Sequence, residues 1–147
     1  MTELRPGAEL QPRERVVVRE DVKAYADASG DQNPLHQDDV FARSVGFPGV
    51  IAHGMFTMGH LTSSVGEWLG PGAELRSMHA QFRSAVLLGD TIVAGGRVRD
   101  VDPEAGTVSL ELWVTVDREG TLESPIKRAE AVASIVPATN GRGHART

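Results

Sequence analysis

Asp31 and His36 lie in one short segment, Gly30-Asp31-Gln32-Asn33-Pro34-Leu35-His36, and a second segment, Ala52-His53-Gly54-Met55, follows it in the chain. A carboxylate, an imidazole and a glycine that opens a long apolar stretch are parts that can add water to a polarised double bond or remove it. An imidazole with an unperturbed pKa of about 6.5 can take or give a proton near neutral pH. A carboxylate beside it can orient the water. A backbone N–H at a helix N-terminus directs partial positive charge at an oxygen on which negative charge develops. Glycine at that point leaves room for a substrate to approach the backbone.

The elements that must position these groups follow from local chemistry. Val16-Val17-Val18 predicts a strand over residues 15–19. Asp21 can cap a helix running to about Ala28, which Gly30 ends. Gly-Asp-x-Asn-Pro at 30–34 is a turn, because the residue before proline avoids the α region. A short helix is expected over 38–44, a turn at Phe47-Pro48-Gly49 and an extended piece at Val50-Ile51-Ala52. Residues 54–69 form the longest helix candidate, with Met55, Met58, Leu61, Thr62, Val65 and Leu69 at three- and four-residue steps and Glu67 as its one charge near the end. So broad an apolar face suits a helix packed deep against a sheet.

Beyond Gly70-Pro71-Gly72 the period changes. Strands are predicted over 75–86, 91–101, 107–117 and 126–136. In the third, Val108, Leu110, Leu112, Val114 and Val116 share one face, and Trp113 interrupts the polar face as a candidate interface residue. The count is one N-terminal strand, short helices, one long helix and a four-stranded antiparallel meander. That pattern is α+β, a five-stranded antiparallel sheet around a central helix. Residues 1–13 read as an arm, 14–137 as the single domain, and the polar, Gly-rich 138–147 as a disordered tail.

Composition narrows the function. The chain has 147 residues, enough for one domain that buries a sizeable core. There are no cysteines, so disulfides, thiolate metal sites and a cysteine nucleophile are excluded. The formal net charge of -5 is opposite to that of a general nucleic-acid binder. No apolar signal core or membrane-length apolar run is present, so a soluble cytoplasmic protein that does not engage membranes is the expectation. The five histidines fall on separate elements without short ligand spacing, so no metal is expected. Ser63-Ser64 lacks a nucleophile-elbow pattern.

Asp31-Gln32-Asn33-Pro34-Leu35-His36 with Ala52-His53-Gly54-Met55 resembles the signature of the MaoC-like (R)-specific enoyl-thioester hydratases and dehydratases. The similarity runs from about Val16 to Val136. Residues 50–59 and Val101-Asp102-Pro103-Glu104 look closest to catalytic subunits of actinobacterial type II fatty-acid dehydratases. The resemblance implies the hot-dog fold, with the sheet wrapped around the long helix and two subunits joined edge to edge. It implies reversible hydration of trans-2-enoyl thioesters to (R)-3-hydroxyacyl thioesters, without a cofactor, since the CoA or acyl-carrier-protein arm belongs to the substrate. It implies Asp31 and His36 as the catalytic pair, the Gly54 N–H as the oxyanion donor, and Asn33 as a support of the loop. His53, Met55 and Thr62 are carried over as substrate-side residues; relatives place a hydroxyl or small residue near the acid at the position of Thr62. The chain departs from relatives after Phe82-Arg83, where Ser84-Ala85 stand in place of a segment with proline.

Other readings stay open at this point. Asp31 and Asn33 are also good turn formers. His53 also suits a packing role at the start of the helix, and Met55 and Met58 suit core or acyl-tunnel lining alike. A catalytic half that works only in a heterodimer, a hot-dog thioesterase and a non-enzymatic thioester binder are the competing functions. The intact Asp31 and His36 argue against a non-catalytic subunit, and Glu67 alone on the long helix argues against the thioesterase. Homodimer and heterodimer both remain open.

Overall fold

The computed structural model describes residues 3–135. The chain runs β1 (Glu9–Val16), α1 (Arg19–Ser29), a 3-10 turn (Pro34–His36), α2 (Asp39–Ser44), α3 (Gly54–Leu69), β2 (Glu74–Phe82), β3 (Thr91–Asp102), β4 (Thr107–Arg118) and β5 (Thr121–Ser134). The strands form one antiparallel sheet in the order β1-β3-β4-β5-β2. The α+β expectation and the five-stranded sheet around a long helix hold.

The core is the inner face of that sheet against α3. Val108, Leu110, Leu112, Val114 and Val116 are all buried, as the period-two pattern of β4 requires. Leu61, Val65 and Trp68 of α3 join the same cluster. The Trp68 indole N–H donates to the Gln11 carbonyl at 2.8 Å, tying the end of α3 to β1. On the other face, Trp113 is half-buried over Gly95, where a Cβ would lie 2.3 Å from the indole nitrogen. The Arg97 guanidinium sits 5.4 Å from the Trp113 ring centroid and covers part of it.

Four expectations need correction. The first strand starts at Glu9, inside the segment read as an arm, and ends at Val16. Its residues are mostly exposed because it is an edge strand, and Pro12 is tolerated there because the register with β3 shifts between Leu10 and Arg13. The four later strands are not a simple meander. β3, β4 and β5 are consecutive, whereas β2 pairs with β5 at the far edge.

β2 also stops at Phe82 rather than Val86. Residues 83–90 form a loop held by Arg118, whose Nη2 donates to the Ala85 carbonyl at 2.7 Å and to Asp90 at 2.6 Å. Asp90 in turn accepts from the Leu87 N–H at 2.8 Å. Asp21 does not cap α1; Val18 is the N-cap, without a side-chain cap, and Asp21 pairs with Arg15. The segment 138–147 lies outside the described residues. No helix among the described residues is long and apolar enough to cross a membrane.

Candidate active site

Two loops converge on the N-terminus of α3. The first, between α1 and α2, is built by short-range bonds from its own side chains. Gly30 closes α1 with φ 79°, a left-handed conformation that glycine adopts without strain. The Asp31 carboxylate accepts from the Asn33 N–H at 3.2 Å, and the Asn33 side chain accepts from the Leu35 N–H at 3.0 Å. These bonds wind the 3-10 turn that ends in His36. Asn33 therefore supports the loop, and it does not line either cavity described below.

The second loop, ahead of α3, fixes the imidazoles. His36 Nδ1 lies 2.7 Å from the Ile51 carbonyl, which can only accept. Nδ1 therefore donates that bond, and in the neutral ring Nε2 is the nitrogen that carries the lone pair. Nε2 is 4.0 Å from an Asp31 carboxylate oxygen. That is too long for a direct hydrogen bond and leaves room for one oxygen at ~2.8 Å from both. His53 is 3% exposed and donates from Nε2 to the Asp31 backbone carbonyl at 3.0 Å. Its ring stacks on that of His36 with centroids 3.7 Å apart, and Tyr25 meets it edge-on at 4.8 Å.

Gly54 opens α3, and His53 is its N-cap. The Phe56 and Thr57 amides close onto the His53 carbonyl, at 3.0 and 3.3 Å. The first amides of a helix have no partner within it, so the Gly54 N–H is free of the helical ladder. The Phe82 ring rests against Gly54: a Cβ there would be 3.2 Å from two ring carbons.

Two cavities meet at His36, Gly54 and Phe82. The outer, about 330 Å³, also carries Asp31, His53, Tyr25 and Met55. The inner, about 150 Å³, runs between Ala52, Thr57, Ser84 and Ile126.

The structure thus brings together Asp31, His36, His53, Gly54 and Met55. It does not bring Thr62 to them within one chain. Thr62 lies two helical turns further along α3, where its hydroxyl donates to the Met58 carbonyl at 2.8 Å and lies 3.3 Å from the Met78 sulfur. The argument from sequence against a metal, that the histidines sit on separate elements, does not survive folding: ligand atoms of Asp31, His36 and His53 lie within 4.8 Å of one another. Each imidazole already spends one nitrogen on a backbone carbonyl, which leaves one ring nitrogen apiece, and that of His53, Nδ1, is buried without a partner among the described residues.

Sequence reading missed Thr57, Ser84, Tyr25 and Phe82 as residues of the site. Tyr25 and Phe82 fell inside regular elements, and their reach into the pocket depends on the packing of α1 and β2 against α3.

A five-stranded sheet wrapped on a helix whose N-terminus meets an acid–imidazole pair defines a hot-dog protein of the hydratase and dehydratase type. The chain belongs to the MaoC-like family: the family described as MaoC like domain matches residues 2–119. It is 36% identical over 118 residues to a 3-hydroxybutyryl-CoA dehydratase of Methylorubrum extorquens, covering 76% of this chain and 74% of the relative. It is 31% identical over 110 residues to an (R)-specific enoyl-CoA hydratase of Rhodospirillum rubrum, covering 74% of this chain and 76% of the relative.

Among solved structures, the (R)-hydratase from A. caviae involved in PHA biosynthesis superposes with a TM-score of 0.82 at 26% identity, over 91% of this chain and 98% of that one. A chain of the ChsH1-ChsH2 complex from Mycobacterium tuberculosis gives 0.81 at 19% identity, over 91% and 100%, a likeness of fold alone.

Proposed function

We propose that the chain catalyses reversible hydration of trans-2-enoyl thioesters to (R)-3-hydroxyacyl thioesters. The single observation that carries this reading is the 4.0 Å gap between His36 Nε2 and the Asp31 carboxylate beside the Gly54 N–H. Family membership and the activities named for the relatives support it.

In the hydration direction a water sits between Asp31 and His36. It gives up a proton as its oxygen bonds to C3, with His36 Nε2 as the base. The electron pair of the double bond moves toward the thioester, and negative charge collects on the carbonyl oxygen. The Gly54 N–H, with the helix N-terminus behind it, stabilises that enolate. The proton then reaches C2, and the double bond is consumed. Dehydration is the same path reversed. The carrier, CoA or an acyl carrier protein, is part of the substrate, and no cofactor enters the scheme.

A second subunit belongs to this proposal. β2 is an unpaired sheet edge, with Leu75 and Phe82 exposed along it and Met55 exposed near its end. A second copy of the chain, or a related hot-dog subunit, would cover it. The test is to offer purified protein crotonyl-CoA and a longer trans-2-enoyl-CoA, and to identify any product with an (R)-specific 3-hydroxyacyl dehydrogenase. (R)-product supports the reading and a self-sufficient homomer. No product from either substrate with the chain alone, and product on adding a related subunit, would favour the heteromeric form. Release of free thiol would contradict hydration altogether.

A further inference from the structure

Three hydroxyl side chains of α3 are turned away from solvent, and they do not behave alike. Thr62 donates to the Met58 carbonyl and Ser64 to the His60 carbonyl, each at 2.8 Å. This back-bonding to the residue four before is the usual fate of a hydroxyl inside a helix. Thr57 does not follow it. Its residue is 2% exposed, its Oγ1 is buried, and that oxygen has no partner among the described residues. The carbonyl it would use, that of His53, already accepts from the Phe56 and Thr57 amides.

A buried hydroxyl without a partner is costly, and native structures keep few of them unless a ligand or water completes the bond. Thr57 lines the inner cavity of about 150 Å³ together with His36 and Gly54. Positions 54 and 57 are three apart on one helix and share a face. A helical side chain leans toward the N-terminus and covers the turn ahead of its own Cα. The Thr57 hydroxyl therefore leans toward the end of the helix where the Gly54 N–H emerges.

We propose that Thr57 Oγ1 is a second donor to the thioester carbonyl oxygen, acting with the Gly54 N–H. This rests on the hydration reading and assigns to it a residue that touches the reacting group. The enolate oxygen gains charge as water adds, so a donor aimed at it acts mainly on the transition state rather than on binding.

The test uses Thr57→Val, which keeps the shape and loses the hydroxyl, Thr57→Ser, which keeps the hydroxyl, and Ser84→Ala. Ser84 supplies the other buried, unpartnered hydroxyl facing this cavity. The first readout is the infrared carbonyl stretch of bound butyryl-CoA carrying a 13C=O label, a thioester that cannot react. The second is kcat and KM with crotonyl-CoA.

The proposal expects a carbonyl band lowered on binding, part of that shift lost in Thr57→Val and kept in Thr57→Ser. It expects kcat down about 10²-fold in Thr57→Val with KM changed little. An unmoved band in Thr57→Val, the loss appearing in Ser84→Ala instead, or no binding of the thioester would each overturn it. A band that responds to Thr57→Val in a protein that hydrates nothing would leave the donor standing and sink the hydration reading. Turnover with a band indifferent to Thr57 would do the reverse.

Discussion

The imidazole of His53 lies stacked on that of His36, centroids 3.7 Å apart and planes 25° apart, while its Nε2–H holds the backbone carbonyl of Asp31 at 3.0 Å. One buried side chain thus touches both halves of the candidate pair. In the proposed mechanism His53 acts as a positioning residue rather than as a second base. His53→Phe keeps an aromatic face for His36 and releases the Asp31 loop; His53→Gln keeps a donor and loses the stack. Both should lower kcat about tenfold or more, since small misplacements of reacting groups are expensive. Amide hydrogen exchange across residues 31–36 should rise more in His53→Phe than in His53→Gln. Equal protection in both variants would show that the bond to Asp31 does not hold the loop.

Gly54 lies against the Phe82 ring, so an added methyl must push that ring by a few tenths of an ångström. Phe82 is half exposed and can give. Gly54→Ala should fold, and should lose roughly tenfold in kcat/KM as the methyl crowds the oxygen site. Phe82→Ala should recover part of that loss in the double variant. Strict additivity of the two substitutions would deny the coupling.

Asp39 links acidity to the site. Its carboxylate accepts from the Val50 N–H at 2.9 Å and from Arg19 at 2.8 Å, and these bonds, Val50 first, hold it below the ordinary value of 3.8. Val50 precedes Ile51, whose carbonyl orients His36. A carboxyl with a lowered folded-state pKa stabilises the fold above 3.8 and loses that contribution as pH falls through the folded-state value. The loop around Ile51 should therefore loosen only as pH falls below 3.8 and through the lowered folded-state value. Asp39→Asn should flatten the acid limb of a stability-against-pH curve; an unchanged limb would assign it to other carboxylates.

Gly96 is a test of the sheet rather than the site. A Cβ there would lie 2.7 Å from the Glu111 carbonyl and from a Leu112 methyl, and 3.0 Å from Leu10. Gly96→Ala should cost about 1–3 kcal/mol in denaturant unfolding, the range for overpacking. A wild-type midpoint would mean that β1 moves aside freely.

The helix α3 was legible to the residue, from Gly54 to Leu69, because a three- and four-residue apolar period is bounded by a glycine and a Gly-Pro-Gly stop. β4 was legible because every second residue is apolar and all of them are buried. β1 was displaced because only Leu10 among its first residues is buried, and an edge strand leaves little alternation to read. The place of β2 beside β5 depends on pairing across the chain, which no local period records.

In the site, Asp31, His36 and Gly54 could be named from their residue types and the family pattern. The role of His53 became visible only through a bond across 22 positions. Thr57 gave no signal at all, because an unsatisfied hydroxyl is a property of packing.

The central claim is that His36 and Asp31 together activate water on an enoyl thioester. The most direct measurement is the loss of enoyl-thioester absorbance at fixed crotonyl-CoA for the wild-type chain, His36→Ala and Asp31→Asn, each checked for native circular dichroism. The account predicts turnover by the wild type and a fall of at least about 10²-fold in each variant with the fold intact. Near-normal turnover in both variants would contradict it.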